Sequence, residues 1–215
     1  MTFIAEKREA FIIQCAKRAI LKYEPGILAI TGGLGKTMAQ ATLAGVLQDI
    51  RSMYATNEGI RKNLRLPFAV LALHTEGAGF IFWVKTVIKS FKTAFLSTQY
   101  PELLLLECPR GESRGFLSLA RPQITIVTAL ASENEIDASR LLSALPSNGY
   151  AVLNRDDERT RAVALRTRAR AITFGFEESA DLVISNFVNL SEKTGGEYKP
   201  AGISFTVRYG NQSAH

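Results

Sequence analysis

The residues best suited to chemistry in this 215-residue chain lie in one segment, Thr31-Gly-Gly-Leu-Gly-Lys-Thr37. A glycine-rich turn between a strand and a helix points backbone N–H groups and the positive end of the helix dipole at one place, which suits a phosphate. Lys36 would add a mobile charge for the β and γ phosphates, and the Thr37 hydroxyl could bind Mg²⁺. The alternative is a tight turn with a solvated lysine. The predicted nucleotide contacts are Thr31, Gly32, Gly33, Leu34, Gly35, Lys36 and Thr37.

This loop is shorter than the general P-loop. The general signature has a glycine five residues before Gly35, and this sequence has Ile30 there. The shortened loop, together with the lack of an Asn-Lys-x-Asp guanine-reading motif, argues against a P-loop kinase or GTPase.

Glu107 is a candidate Mg²⁺ ligand because it ends a predicted strand. The preceding segment, Leu103-Leu-Leu-Leu106, is apolar throughout, as in a parallel strand covered on both faces. Ligand crevices form at the carboxyl ends of parallel strands, so we expect Glu107 near the glycine loop. Magnesium takes oxygen ligands and is usually shared between carboxylates and phosphates. We predict Lys36 and Glu107 as catalytic residues and Thr37 and Glu107 as metal ligands; the alternative for Glu107 is a solvated acid.

A polar corner, Asn154-Arg-Asp-Asp157, follows another predicted strand. Asn154 offers both a donor and an acceptor to an adenine edge, and Asp157 could accept a hydrogen bond from a ribose hydroxyl. Asp157 also precedes a predicted helix, where a carboxylate favours the N-terminus. The sequence predicts a nucleoside site here and leaves both roles open for Asp157.

Strands and helices alternate around these residues, which predicts a three-layer α/β domain with a mostly parallel sheet. Strands are predicted at residues 27–30, 103–106, 124–128, 150–153 and 171–174, and helices at 3–21, 37–53, 80–95, about 136–145 and about 157–167. Residues 54–67 read as irregular, and residues 68–73 read as either a strand or a buried helix. Residues 182–190 and 203–209 predict a short antiparallel C-terminal appendage around a turn at 193–196. The expected domains are an N-terminal amphipathic helix (1–25), a nucleotide-binding domain (26–178) and the appendage (179–215).

The sequence resembles the central, ATP-binding domain of the Mur ligases, the ATP-dependent amide ligases of peptidoglycan precursor synthesis. ILAITGGLGKT resembles their phosphate loop, and four further segments match in order: YPELLLLE, ARPQITIVT, AVLNRDDE and ARAITFGF. The resemblance spans about residues 16–175 and is greatest to the D-alanyl-D-alanine-adding type. It implies ATP and Mg²⁺ as cofactors, Glu107 as the Mg²⁺-associated glutamate, and Asn154 and Asp157 against base and ribose. The implied function is Mg·ATP binding in a carbon–nitrogen ligase; the alternative is a non-catalytic nucleotide-binding module that is regulatory or works with a partner chain.

The sequence departs from the family pattern after the segment ITIVT. The family carries a histidine there and a carbamoylated lysine further on, which together hold a second Mg²⁺. The nearest position to that histidine is Asn134, and no lysine lies between it and Pro146; Glu133 or Glu135 would be the replacement oxygen ligands. The family's UDP-sugar-binding and C-terminal domains are also expected to be absent. The expected partners, besides ATP, are therefore a cell-wall precursor or a partner chain that supplies the missing domains.

Composition places the chain among basic proteins with a substantial core. A net charge of +6 and 47% hydrophobic residues suit an anionic partner. Two cysteines without metal-like spacing, no secretion signal and no spanning segment favour the cytoplasm. The basic helix with Trp83, Lys85, Lys89 and Lys92 could lie on an anionic membrane, but we predict that its apolar face is core. An arginine cluster at 155–170 lacks interleaved aromatic residues, so no nucleic-acid partner is expected.

Overall fold

The computed structural model describes residues 2–55, 64–73, 79–96, 99–194, 197–210 and 212–214. Its strands are β1 Gly26–Thr31, β2 Met53–Ala55, β3 Leu103–Glu107, β4 Ile124–Val127, β5 Tyr150–Asn154, β6 Arg170–Gly175, β7 Leu182–Thr194, β8 Glu197–Tyr209 and β9 Gln212–Ala214. Its helices are α1 Thr2–Tyr23, α2 Lys36–Leu47, α3 Arg65–Val70, α4 Phe80–Phe95, α5 Ser113–Leu119, α6 Glu135–Ser143 and α7 Glu158–Ala164, with a 3₁₀ turn at Ser132–Asn134.

The strands of the described residues form one sheet in the order β2-β3-β1-β4-β5-β6-β7-β8-β9. Pairing is parallel from β2 to β7, and β7, β8 and β9 pair antiparallel. The predicted α/β class, the mostly parallel sheet and the antiparallel C-terminal part are confirmed. The antiparallel strands continue the same sheet, because β7 pairs with β6 at Phe174↔Leu182 and Gly175↔Val183.

Helices cover both faces of the sheet. On one face, residues of α1, α3 and α5 form a core with β1 and β3, and residues of α6 and α7 form a second cluster with β4 and β5. In the sheet, β2 lies on one side of β1, whereas each later parallel strand lies on the other side of the strand that precedes it in the chain. Because crossovers between parallel strands are right-handed, α2, which joins β1 to β2, lies on the opposite face of the sheet from the other crossover helices. There it packs against β1, β2 and β3. Leu104, Leu105 and Leu106 in β3 are fully buried, as the uninterrupted apolar run predicted.

Two local predictions near α2 were wrong. The helix predicted over 37–53 ends at Leu47, and Met53–Ala55 is the edge strand β2, although residues 54 and 55 were read as irregular. Met53 pairs with Leu103 and Ala55 with Leu105. This long-range pairing outweighs the helical spacing of the apolar residues, since propensity is a weak local preference.

Further differences from the sequence predictions concern α3, α5 and the antiparallel strands. Residues 68–70 are the last residues of the helix α3, which begins at Arg65 within the segment predicted to be irregular and has Pro67 in its first turn; residues 71–73 follow the helix. The short helix α5 was not predicted. The antiparallel strands are longer than predicted. Within their predicted turn, residues 195 and 196 lie outside the described residues, as do the histidines at 74 and 215.

The helix α4 forms where it was predicted, but the prediction that its apolar face is core was wrong. Its buried residues are Thr86, Ser90, Thr93 and Ala94. Of its large apolar side chains, Phe82 and Trp83 are half-buried against the core and most of the others are exposed. The reason is that these small residues allow α4 to pack closely against α1. Among the described residues, no helix has the length and apolar character needed to span a bilayer.

Candidate functional site

The loop between β1 and α2 has a backbone conformation that favours glycine. The φ angles of Gly32 and Gly35 are 139° and 82°, in the range that side chains with a Cβ rarely adopt. A Cβ at Gly32 would lie 2.1 Å from the Thr128 hydroxyl oxygen. Gly35 is the N-cap of α2, and no side chain caps the helix. The first-turn N–H groups of α2 are therefore available to an anion, together with the positive end of the helix dipole.

Lys36 turns back over this loop. Its Nζ donates to the carbonyl oxygens of Gly32 at 2.9 Å and Gly33 at 3.2 Å, and lies 4.0 Å from Glu107 Oε1. Glu107 is only 8% exposed, and its Oε2 lies 3.3 Å from Arg65 Nη2. The structure thus brings the two predicted catalytic residues together and adds a second cation on the other side of the carboxylate.

The residues directly after β4 hold the loop between β1 and α2 in place through hydrogen bonds. Gly33 N donates to Ala129 O at 2.7 Å, and Thr128 Oγ1 donates to Thr31 O at 3.3 Å. Asn134, the position nearest to the family's histidine, is buried and donates from Nδ2 to Gly32 O at 3.0 Å. Its amide therefore fixes the same carbonyl that Lys36 contacts. The sequence patterns did not predict this contact.

The polar corner after β5 is folded by its own side chains. Asn154 Oδ1 accepts from Asp156 N at 3.0 Å. Both carboxylate oxygens of Asp156 accept from Phe176 N at 2.9 Å, which ties the corner to the loop after β6. Asn154 therefore retains its amide nitrogen as a donor toward a ligand.

Asp157 is the N-cap of α7. Its Oδ1 accepts from Arg159 N at 3.0 Å, and its Oδ2 accepts from Leu130 N, just beyond β4. Burial would raise the pKa of Asp157, but these bonds and one from the Thr160 hydroxyl hold it below the usual value. The capping role left open by the sequence is present, and it also fixes the corner next to the strand exit that supports the glycine loop.

A cavity of about 510 Å³ opens beside Glu107. It is lined by residues of α1, α3, α5 and the segment between β3 and α5, among them Arg65, Glu107, Gly111, Glu112 and Phe116. This cavity has both cationic and anionic side chains next to the carboxylate that faces Lys36. A substrate group bound there would lie against the Glu107 end of the site.

The donor set fits one magnesium ion that bound phosphates would help to hold. Glu107 supplies a carboxylate at the strand end and Thr37 an exposed hydroxyl at the start of α2, and hard oxygen donors of this kind are what Mg²⁺ takes. Within the described residues, no group of three or more His, Cys, Asp and Glu side chains could hold a metal ion by itself. Glu133, one of the two replacement ligands named from the sequence, is half-exposed and pairs with Arg110.

Arg65 is the functional candidate that sequence reasoning missed. It lies 42 residues from Glu107 in the chain, so no local motif joins them. The available signal was a single arginine at the start of an apolar segment, Leu64-Arg-Leu-Pro-Phe-Ala-Val70. Lys36, Glu107 and the glycine loop were all located correctly at the carboxyl edge of the sheet.

Solved structures of ligases match this chain over nearly its whole length. MurF ligase from Thermotoga maritima in complex with ADP has a TM-score of 0.69 and 16% identity, covering 96% of this chain and 43% of that one. The chain has the fold of a Mur ligase ATP-binding domain. The UDP-N-acetylmuramoylalanyl-D-glutamyl-2,6-diaminopimelate--D-alanyl-D-alanyl ligase from Acinetobacter baumannii has a TM-score of 0.64 and 13% identity, covering 94% and 40%. FolC from E. coli in complex with DHPP and ADP has a TM-score of 0.56 and 13% identity, covering 96% and 51%.

The match to the Mur ligase fold confirms the resemblance expected from the sequence and extends it beyond residues 16–175. It includes the D-alanyl-D-alanyl ligase type that the sequence segments indicated. The chain spans less than half the length of the two Mur ligases named above. No protein-family model and no curated protein matches the sequence.

Proposed function

We propose that this chain is the Mg·ATP-binding domain of a Mur-ligase-like amide ligase that acts in peptidoglycan precursor synthesis in the cytoplasm. The observation that supports this most directly is the position of Lys36. Its Nζ lies over the loop carbonyls and 4.0 Å from Glu107 at the carboxyl edge of the sheet. A triphosphate at the start of α2 would meet an ammonium group, helix N–H groups and a carboxylate able to share a cation.

In this proposal each element of the site has one task. The N–H groups of residues 32–35 hold the phosphates, and Lys36 neutralises their charge. Thr37 and Glu107 hold Mg²⁺, which neutralises charge on the phosphate oxygens. Asn154 and Asp157 meet the nucleoside. Asp157 can do so only through lone pairs left by its bonds to Leu130, Arg159 and Thr160, so we assign it mainly to positioning the corner.

The reaction itself requires positioning and charge neutralisation more than covalent help from the protein. A substrate carboxylate attacks the γ-phosphorus, ADP leaves, and an acyl phosphate forms. An amine then attacks the acyl carbon, releasing phosphate and forming the amide. The cavity beside Glu107 is where the acyl substrate would lie, with Arg65 available to bind its negative charge. Binding of the amine and of the rest of a cell-wall precursor is assigned to a partner chain or further domains.

A second candidate function is supported by the Arg65–Glu107 pair. With Arg65 Nη2 3.3 Å from one carboxylate oxygen and Lys36 near the other, Glu107 already has two cationic neighbours. A carboxylate paired in this way binds a metal less readily. The site would then bind nucleotide without turnover, as a regulatory module.

Nucleotide binding and phosphate release, measured separately, distinguish the two functions. ATP binding is followed by calorimetry, and phosphate release is followed with dipeptide and amino-acid amines plus a precursor carboxylate, with and without candidate partner chains. Binding with acceptor-dependent release supports the ligase. Binding with no release under any of these conditions supports the regulatory module, and no binding of ATP contradicts both.

A further inference from the structure

The helix α4 presents its apolar side to solvent. Along its 16 residues, exposed large side chains recur at helical spacing and form one stripe, which we call the α4 stripe. Its members are Phe80 (82% exposed), Ile81 (70%), Val84 (39%), Ile88 (51%), Phe91 (46%) and Phe95 (46%). At 1.5 Å per residue the helix is about 24 Å long. A continuous exposed apolar surface of this length marks an interaction site.

The opposite side of α4 is buried and carries the small polar residues Thr86, Ser90 and Thr93 beside the half-buried Trp83. Thr86 Oγ1 donates to Phe82 O at 2.9 Å, and Ser90 Oγ donates to Thr86 O at 2.7 Å. Because both hydroxyls are satisfied within the helix, this side can be buried against α1 without losing hydrogen bonds. The packing of α4 against α1 therefore leaves the α4 stripe facing solvent.

Positive charge borders the α4 stripe. Helix α4 contains Lys85, Lys89 and Lys92 and no acidic residue, and at 100° per residue these lysines lie along one edge of the stripe. From α1, the Arg18 guanidinium lies 4.6 Å over the Phe95 ring, and Lys22 Nζ donates to Leu96 O at 2.7 Å. Five cationic side chains therefore lie along one edge and at the C-terminal end of the apolar surface.

We propose that the α4 stripe binds reversibly to the surface of an anionic membrane, with α4 lying in the interface plane. Helices of this kind place aromatic and aliphatic side chains at the acyl boundary and lysines among the lipid headgroups. Lysine stems are long enough to reach phosphates while the apolar side faces the acyl chains. Charge complementarity favours anionic lipid, because α4 carries three lysines along the stripe and no acidic residue. The proposal is independent of the nucleotide site.

Co-sedimentation with vesicles tests this proposal. The full chain is incubated with vesicles of phosphatidylcholine alone and with vesicles of phosphatidylcholine and phosphatidylglycerol in equal parts. We expect binding to the anionic vesicles only, weakening as the salt concentration rises. No binding to anionic vesicles, or equal binding to both kinds, would overturn the proposal.

Two pairs of variants locate the contact. Phe80→Gln/Ile88→Gln is expected to lower the affinity about tenfold or more, while Leu165→Gln, which changes an 88% exposed leucine on another helix, leaves it unchanged. Lys85→Gln/Lys92→Gln is expected to lower the affinity about 25-fold, from about fivefold per lysine near an anionic surface. Arg166→Gln/Arg168→Gln removes the same charge elsewhere and should have little effect. Equal losses for matched variants would show non-specific attraction and overturn the proposal.

A second copy of this chain is the competing partner for the α4 stripe. The mass in solution is measured by analytical ultracentrifugation over a range of concentrations, without vesicles. A monomer that binds anionic vesicles supports the proposal. A dimer that Phe80→Gln/Ile88→Gln abolishes, with no vesicle binding by the native chain, would assign the α4 stripe to a second copy and refute the membrane site.

Discussion

Replacing Gly32 by alanine tests whether the glycine loop is held as tightly as its contacts indicate. An added Cβ would lie 2.1 Å from Thr128 Oγ1 and 3.1 Å from Ala129 O, and the φ of Gly32 is +139°. The backbone strain of a side chain in such a region is about 1–3 kcal/mol, and overpacking of a filled site costs about 1–3 kcal/mol more. We expect Gly32→Ala to lower the free energy of unfolding by about 2–6 kcal/mol.

Two other glycines of the same region are matched controls. At Gly35 an added Cβ meets nothing within 4 Å, but φ is +82°, so Gly35→Ala should cost only the left-handed penalty of about 1–2 kcal/mol. At Gly45, inside α2, an added Cβ also meets nothing within 4 Å, so Gly45→Ala should stabilise by about 0.5–1 kcal/mol. The three alanine variants differ only in position, which separates the steric contribution from the backbone contribution.

Urea unfolding followed by circular dichroism measures all three variants, and a double-mutant cycle identifies the clash. Thr128→Ala removes the hydroxyl oxygen and its 3.3 Å bond to Thr31 O, costing about 0.5–1.5 kcal/mol alone. In Gly32→Ala/Thr128→Ala part of the clash disappears, so the pair should be at least about 1 kcal/mol less destabilised than the sum of the single changes. If Gly32→Ala costs no more than Gly35→Ala, or if the two changes are additive, the packing account of the loop is wrong.

Three further predictions concern charge and protonation. Arg65 Nη2 lies 3.3 Å from Glu107, and this pairing makes the carboxylate a weaker metal ligand. Arg65→Gln should therefore lower the Mg²⁺ concentration needed for ATP binding about fivefold, which corresponds to about 1 kcal/mol for a partly exposed pair. Calorimetry of ATP binding at graded Mg²⁺ concentrations that shows no change would contradict this. The pKa of Asp181 lies below its usual value because the amide and hydroxyl of Thr173 donate to its carboxylate. Its contribution to stability is therefore complete above about pH 3.9 and is lost as pH falls through the lowered value. Asp181→Asn should reduce this loss of unfolding free energy between pH 7 and pH 2, and an unchanged dependence of that free energy on pH would contradict a stabilising role for the bond. Burial raises the thiol pKa of Cys15 and of Cys108, and the nearby carboxylates of Asp137, Glu112 and Glu107 raise that of Cys108 further. A thiol reagent at pH 8 should therefore react with neither cysteine until urea unfolds the chain. Rapid labelling of the native protein would contradict their burial.

The sheet was predictable because its strands are unusual in composition. Leu103-Leu-Leu-Leu106 has no polar side, which is typical of a parallel strand buried on both faces, and the glycine loop predicts where α2 begins. The short strand β2 was missed because Met53–Ala55 is too short to show a pattern and forms through its pairing with β3. Local composition identifies a strand only where the residues themselves require burial.

The site was predictable where a contact is local in sequence and unpredictable where it is not. Lys36 lies three and four residues from the carbonyls it contacts, so its position follows from the loop. Arg65 and Asn134 reach the site over 42 and 102 residues. The direction of α4 was missed for a related reason. Amphipathicity defines two sides of a helix, but only the packing of Thr86 and Ser90 against α1 decides which side is buried.

Equilibrium binding of Mg·ATP to the native chain and to Lys36→Ala is the most direct measurement of the phosphate site. Hydrogen bonds to charged groups contribute about 1.5–3 kcal/mol, so loss of the ammonium group should weaken binding about 10- to 150-fold. Lys85→Ala, which removes the same charge from α4, is the control and should bind as the native chain does. Unchanged affinity in Lys36→Ala, or an equal loss in both variants, would contradict capture of the triphosphate by the loop at the start of α2.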